Sequence, residues 1–407
     1  MNNTYLTLNR FKEATKTVGK IVEETKLIPS GYLSQQSGGQ IYLKPENMQI
    51  TGAYKLRGAF YKISTLGEEE RARGLITASA GNHAQGVAYA ARHYGVAATI
   101  VMPSTTPLIK VNRTKDLGAN VVLAGDVYDE SCQAAMMMAK EQGLSFIHPF
   151  DDLAVVAGQG TLMMEIFAEL PEVDFVLVPV GGGGLAAGVA VLAKLLNPDI
   201  KVIGVEPAGA NCLQESLRVG KPITLDAINT IADGAAVRTP GTVIFPYLQK
   251  NLDEIITVED EELVATFLDM VENHKMIIEN AGLLAVAALK HMDVSKKRVA
   301  AIVSGGNMDV ITMSSVVQRG LIIRDRIFTV SVLLPDKPGE LTRVSEVIAR
   351  QNGNVIKLEH NQFVSINRST AVELRITLEA YGTLHKDEII AALEIGGYKP
   401  RVVRTSI

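Results

Sequence analysis

The sequence predicts an α/β fold, two lobes of doubly wound parallel sheet followed by a small βαββαβ module of α+β type. Three observations carry that expectation. From Gly74 onward short β-rich runs alternate with helical runs, the pattern of βαβ units on a parallel sheet. Residues 175–180, FVLVPV, form an unbroken apolar run of the kind buried on both faces of a sheet. Past about Gly320 the order changes to strand, helix, strand, strand, helix, strand, a separate small unit.

Length and composition bound the function. A chain of 407 residues is long enough for two or three domains with large apolar cores. A net charge of -4 offers no basic field for a phosphate backbone, which argues against nucleic acid. The first residues are polar and charged, without the apolar core of a secretory signal, and no apolar run approaches the roughly 20 residues of a membrane helix. A cytoplasmic location is expected. The two cysteines, Cys132 and Cys212, stand too far apart for a CxxC motif, so neither a disulfide framework nor a thiolate zinc site is expected.

Taken in order, residues 9–25 read as a polar helix and Pro29, Ser30 and Gly31 as a turn. A strand at 40–43 delivers the chain to KPENMQITGAYKLRGAF, residues 44–60, in which Lys55 sits where a loop becomes a helix over 55–65. Strands at 75–78, 98–102, 120–123 and 145–147 alternate with helices at 84–94 and 127–142. A second series follows: strand 175–180, helix 185–196, strands 201–206 and 254–258, helices 261–274 and 281–291, and strand 298–303. The connection is expected at 320–326. The module beyond it has strands at 327–334, 355–359, 371–378 and 401–405 and helices at 340–352 and 386–393.

Four groups in this layout carry chemistry. Lys55 alone reads as an ordinary solvated lysine, and only its company changes that reading. Gly181, Gly182, Gly183, Gly184 and Leu185 lie between the buried strand and a helix, where successive backbone N–H groups and the helix N-terminus can cradle a phosphate. No Lys-Ser or Lys-Thr follows, so a small phosphorylated ligand fits better than ATP or NAD. Ser304, at the end of strand 298–303, can serve a heteroaromatic nitrogen or cap the next helix, and the residues favour neither. Ser79, Ala80, Gly81, Asn82 and His83 open a further helix and suit a carboxylate, although His83 taken alone suits packing or capping better. An amine, a phosphate cradle, a ring-nitrogen partner and a carboxylate nest together describe a pyridoxal phosphate site.

With those residues in view, the chain resembles the threonine ammonia-lyases (threonine dehydratases) of the type II pyridoxal phosphate fold, with a C-terminal ACT-type module. The matching motifs are TGAYKLRGA around Lys55, SAGNHAQG at 79–86, GGGGLAAG at 181–188, VEP at 205–207 and SGGN at 304–307. The resemblance implies that Lys55 forms the Schiff base and acts as general base, that Tyr54 packs near the cofactor ring, and that Asn82 binds the ring hydroxyl. It also gives Gly181, Gly182, Gly183, Gly184 and Leu185 the phosphate, Ser304 the pyridine nitrogen, and the backbone from Ser79 to His83 the substrate carboxylate. Threonine would yield 2-oxobutanoate, and serine pyruvate. Ala80 stands where related serine racemases are expected to carry a serine, so elimination is favoured over racemisation. In place of the E-P-x-x-A-x-D of cation-binding relatives this chain has Glu206, Pro207, Ala210 and Cys212, which disfavours a divalent ion. A monovalent ion on Glu206 and backbone carbonyls such as that of Ala210, or a purely structural Glu206, stay open.

By the same resemblance residues 1–320 form the catalytic domain, with about 50–155 as its smaller lobe, and residues 326–407 the regulatory one. The loop LPDKPGEL, 334–341, would receive an amino-acid or nucleotide effector, or the module would serve dimerisation without a ligand, and a homodimer or homotetramer is the expected assembly. The rival readings are a serine dehydratase, a β-replacement synthase, a threonine synthase and a non-catalytic amino-acid sensor. Lys55, Asn82 and Ser304 argue against the sensor.

Overall fold

The computed structural model describes residues 5–362 and 372–405. It divides into two compact units, Met1–Asp309 and Val310–Ile407.

The first unit holds two sheets. In the larger, the neighbouring strands run Ile28–Pro29, Gln40–Pro45, Arg298–Val303, Phe175–Pro179, Lys201–Pro207 and Glu254–Val258. All pairs are parallel except the first. The chain steps outward from Phe175–Pro179 to Glu254–Val258 and then returns to the other side as Arg298–Val303, so a topological switch point lies beside Phe175–Pro179. In such sheets ligands bind beyond the carboxyl ends at that point. Three adjacent parallel strands end there, and they lead into the Lys55 stretch, Ser304 and the glycine loop.

The smaller sheet repeats the arrangement with strands Asn120–Leu123, Ala98–Met102, Leu75–Ala78 and Ser145–Phe146, all parallel. Here the switch point lies between Leu75–Ala78 and Ser145–Phe146. Ser79 to His83 therefore face the segment from His148 to Asp152 across one crevice.

Several expected boundaries move. The polar helix at 9–25 is Leu8–Val18, closed where the Gly19 N–H returns to Thr15 O, and the freed segment carries Thr25 inward to Glu46. Helix 261–274 is an α-helix only over Asp260–Asp269 and continues as a π-helical turn, Met270–His274. The helix Leu153–Glu169 is absent from the sequence reading because it is apolar around most of its girth and offers no amphipathic period. It packs on the Lys55 helix, Lys55–Thr65, at glycine contacts. A Cβ on Gly158 would stand 2.5 Å from Arg57 O, and one on Gly58 would stand 2.7 Å from the Gln159 side chain, so the two backbones approach closely only without side chains.

The second unit begins with the helix Val310–Ile323, before the connection expected at 320–326. Its sheet is antiparallel, in the order Asn354–Asn361, Val372–Glu379, Ile327–Leu334, Arg401–Val403. The helices Glu340–Arg350 and Thr383–Ile395 complete a βαββαβ succession. Phe328, Val330, Val332, Leu374, Ile376 and Leu378 pack against Val344, Ile348, Ile389 and Leu393 in its core. Ala371, with which the third strand is expected to begin, lies outside the described residues.

Candidate active site

Lys55 is the first residue of its helix, and its Nζ donates to Pro149 O at 2.9 Å. The amine lies 5.3 Å from the centroid of the Tyr54 ring. Burial pushes its pKa down to about 8, partly opposed by the Glu279 carboxylate. Burial and the same carboxylate hold the Tyr54 phenol above its ordinary range, so that group stays neutral. The loop carrying Lys55 is tied to the loop carrying Ser304. Tyr54 N donates to Ser304 O at 3.1 Å, Gly306 N to Gly52 O at 2.9 Å, and Ala53 bridges Gly305. Ser304 is 4% exposed.

The glycine loop enters the helix Gly184–Leu196 through Gly183, whose φ of +94° is left-handed and favours glycine. Gly182 is pressed against the Phe150 ring, which a Cβ would meet at 2.5 Å. The buried N–H groups of Gly182, Gly183, Gly184 and Leu185 have no acceptor among the described residues. Buried donors left open in this way are rare, and a phosphate at a helix N-terminus would satisfy them together.

The crevice in the smaller sheet supplies the other groups. Gly81 N donates to the Ser79 hydroxyl at 3.2 Å, and the helix Asn82–Tyr94 begins directly after it. His83 is buried, with Nε2 against Ile147 O at 3.0 Å; burial, reinforced by the charge of Lys55, pushes its pKa down to about 3. It is therefore neutral, and with Nε2 donating it packs the crevice wall. Ala80 is half-buried against the apolar core of the smaller lobe.

Three neighbours of these groups were given no role from the sequence. Glu279 accepts from Asn82 Nδ2 at 2.5 Å, and burial raises its carboxyl to about 7 despite that bond. Asn307, beyond the glycines of SGGN, donates from Nδ2 to Asn82 Oδ1 at 2.8 Å and to Thr51 O at 2.7 Å. The segment from His148 to Asp152 is the third. His148 Nδ1 accepts the N–H groups of Phe150 and Asp151 at 3.2 and 2.8 Å, and Pro149 O receives Lys55. Asp151 accepts the N–H groups of Thr242, Val243 and Ile244, while Gly241 N reaches Gly182 O at 3.0 Å. The signal available in the sequence was HPFDD directly after a short strand, a polar cluster where a loop leaves a sheet.

Glu206 lies apart from these groups. It is fully buried, raised to about 7 by burial, and its two oxygens accept the N–H groups of Leu213 and Gln214 at 2.8 Å each. That places the carboxylate as a cap on the helix Cys212–Val219, with the Cys212 thiol 3.8 Å away. Ala210 is buried in the turn between them. Among the described residues no group of three or more His, Cys, Asp or Glu side chains is arranged to hold a metal.

A desolvated amine, a row of open N–H groups, a serine hydroxyl at a strand end and an oriented carboxamide fit pyridoxal phosphate in chemistry. Comparison with known proteins agrees. Residues 18–305 match the family model described as pyridoxal-phosphate dependent enzyme. An L-threonine ammonia-lyase from Thermotoga maritima is 42% identical over 98% of this chain and 100% of its own length. A catabolic L-threonine dehydratase, TdcB, from Staphylococcus aureus is 43% identical over 79% of this chain and 94% of its own. Among solved structures, the processed form of threonine deaminase isoform 2 from Solanum lycopersicum aligns with a TM-score of 0.73 and 37% identity, covering 78% of this chain and 95% of that one. The chain belongs to the family of pyridoxal-phosphate dependent enzymes.

Proposed function

We propose that this protein is a threonine ammonia-lyase, converting L-threonine to 2-oxobutanoate and ammonia and L-serine to pyruvate and ammonia. The observation that carries the reading is Lys55, a buried amine at the loop junction whose pKa, lowered to about 8, leaves about a tenth of it neutral at pH 7.

Bound pyridoxal phosphate supplies an electron sink for the pair left at Cα when its proton departs. The chain's own groups do the rest. The nest from Ser79 to His83 would receive the substrate carboxylate on the N–H groups of Ala80, Asn82 and His83, since Ser79 N donates to Val101 O and Gly81 N to the Ser79 hydroxyl, and the N–H groups from Gly181 to Leu185 would hold the phosphate. The Ser304 hydroxyl meets the ring nitrogen and Tyr54 packs beside the ring. Neutral Lys55 takes the Cα proton, an equivalent proton goes to the departing β-hydroxyl so that it leaves as water and the lysine returns to its neutral form, and the released enamine takes up water to give the 2-oxo acid and ammonia. With alanine at position 80, no second acid or base faces Cα from the nest, so proton removal leads to elimination. Replacing Lys55 with Ala should abolish 2-oxo acid release from threonine in a coupled assay, and near-normal release would overturn the assignment.

The second unit is read as an ACT-type regulatory module. Its βαββαβ order supports this, as does the 334–341 loop, where Gly339, at φ +91°, opens the helix Glu340–Arg350. An amino-acid or nucleotide effector and a homodimeric or homotetrameric assembly complete the proposal. Enzyme lacking residues from 310 onward should keep its turnover and lose any response to branched-chain amino acids, threonine or nucleotides. An equal response in both forms would refute the regulatory role.

A further inference from the structure

We propose that Glu279 is a positioning residue which, through Asn82, fixes the cofactor's ring oxygen as a hydrogen-bond acceptor; the inference rests on the pyridoxal phosphate reading above. One hydrogen-bonded chain sets the polarity of the site. Thr51 O is a carbonyl and only accepts, so the group of Asn307 that faces it must be the amide nitrogen. The second N–H of that nitrogen goes to Asn82 at 2.8 Å, so the Asn82 atom facing it is the oxygen. The Asn82 nitrogen is then turned to Glu279 Oε1 at 2.5 Å. One hydrogen of that nitrogen is spent on the carboxylate and the other remains for a ligand.

With Glu279 ionised, the two ends of the chain are both acceptors, and they enforce this direction together. Rotated by 180°, the Asn82 carboxamide would set its oxygen against the carboxylate and its NH2 against the NH2 of Asn307, losing both bonds. Glu279 is itself held where it can do this. Its backbone N–H donates to Gly305 O at 3.1 Å, and a Cβ on Gly305 would stand 2.4 Å from its Oε1, so the carboxylate lies directly over the SGGN turn. The backbone N–H of Asn307 also favours the ionised form. A ligand oxygen approaching Asn82 thus meets a donor, as a phenolate-type ring oxygen requires.

The test is a double-mutant cycle on cofactor affinity, with cofactor-free protein titrated with pyridoxal phosphate and bound cofactor read by absorbance and tyrosine fluorescence. Glu279→Ala should weaken binding by about tenfold or more, as expected for a lost bond to a charged group, and Glu279→Gln, which keeps an acceptor, by no more than about threefold. Asn82→Ala should also weaken binding. Adding Glu279→Ala to it should then change affinity by less than about threefold, because the lever has nothing left to hold. A merely structural Glu279 would alter thermal stability without this coupling. Wild-type affinity in Glu279→Ala, or fully multiplicative effects in the double variant, would overturn the proposal. If the alanine variant does not fold, Glu279→Met takes its place in the same cycle. A wild-type chain that takes up no pyridoxal phosphate would instead refute the reading on which the proposal rests.

Discussion

Arg57 grips Glu46 through two parallel hydrogen bonds of 2.8 Å, from Nε to Oε2 and from Nη2 to Oε1, with both side chains wholly out of solvent. The opposite edge of the guanidinium reaches Glu165 at 2.5 and 2.9 Å, and Lys44 Nζ meets the same carboxylate at 2.5 Å. Two cations and two carboxylates thus balance within the core, two residues from Lys55. Arg57→Ala would leave both carboxylates without their principal partner, and a loss of about 3–5 kcal/mol in the free energy of unfolding is expected from denaturant titration. Arg57→Lys should recover only part of it, because an ammonium cannot make the paired contact.

The lowered pKa of Lys55 predicts how the cofactor-free chain takes up pyridoxal phosphate. Only a neutral amine attacks the aldehyde, so the uptake rate should rise with pH and reach its half-maximum near 8. Glu279 holds that pKa up against burial, so Glu279→Ala should move the midpoint to lower pH. Stopped-flow absorbance across a pH series measures both.

Gly182→Ala tests the proposed phosphate cradle. The added methyl would meet the Phe150 ring at 2.5 Å, so the loop must shift, destabilising the fold by about 1–3 kcal/mol. Cofactor retention on dialysis should fall with it, and an unchanged retention would count against this loop as the phosphate site.

His83 predicts a signature in stability against pH. Its folded pKa is pushed down to about 3 by burial, against about 6.5 when unfolded, so the fold binds fewer protons there than the open chain. The stabilisation is fully present above about pH 6.5 and is lost as pH falls toward the folded value. The Tm of wild type relative to His83→Gln should therefore decline on acidification from pH 7 to 5. A constant difference would show that His83 does not titrate in this way.

What the sequence by itself determined is the local chemistry of single segments. Four glycines between an apolar strand and a helix can only be a tight βα turn with free N–H groups. Lys55 at a loop-to-helix junction, Ser304 at a strand end and SAGNH before a helix are readable because each sits beside its own structural marker. Parallel strands then carry these ends to one edge of each sheet. Tertiary structure decided the rest. Glu279 joins Asn82 across 197 positions and Asn307 joins it across 225, and no local period or spacing encodes such a pairing. The buried helix Leu153–Glu169 was hidden because a segment covered on most sides has no polar face to alternate with. The values near 7 for Glu279 and near 8 for Lys55 likewise arise only when distant segments close over these groups and exclude water, a property that composition does not carry.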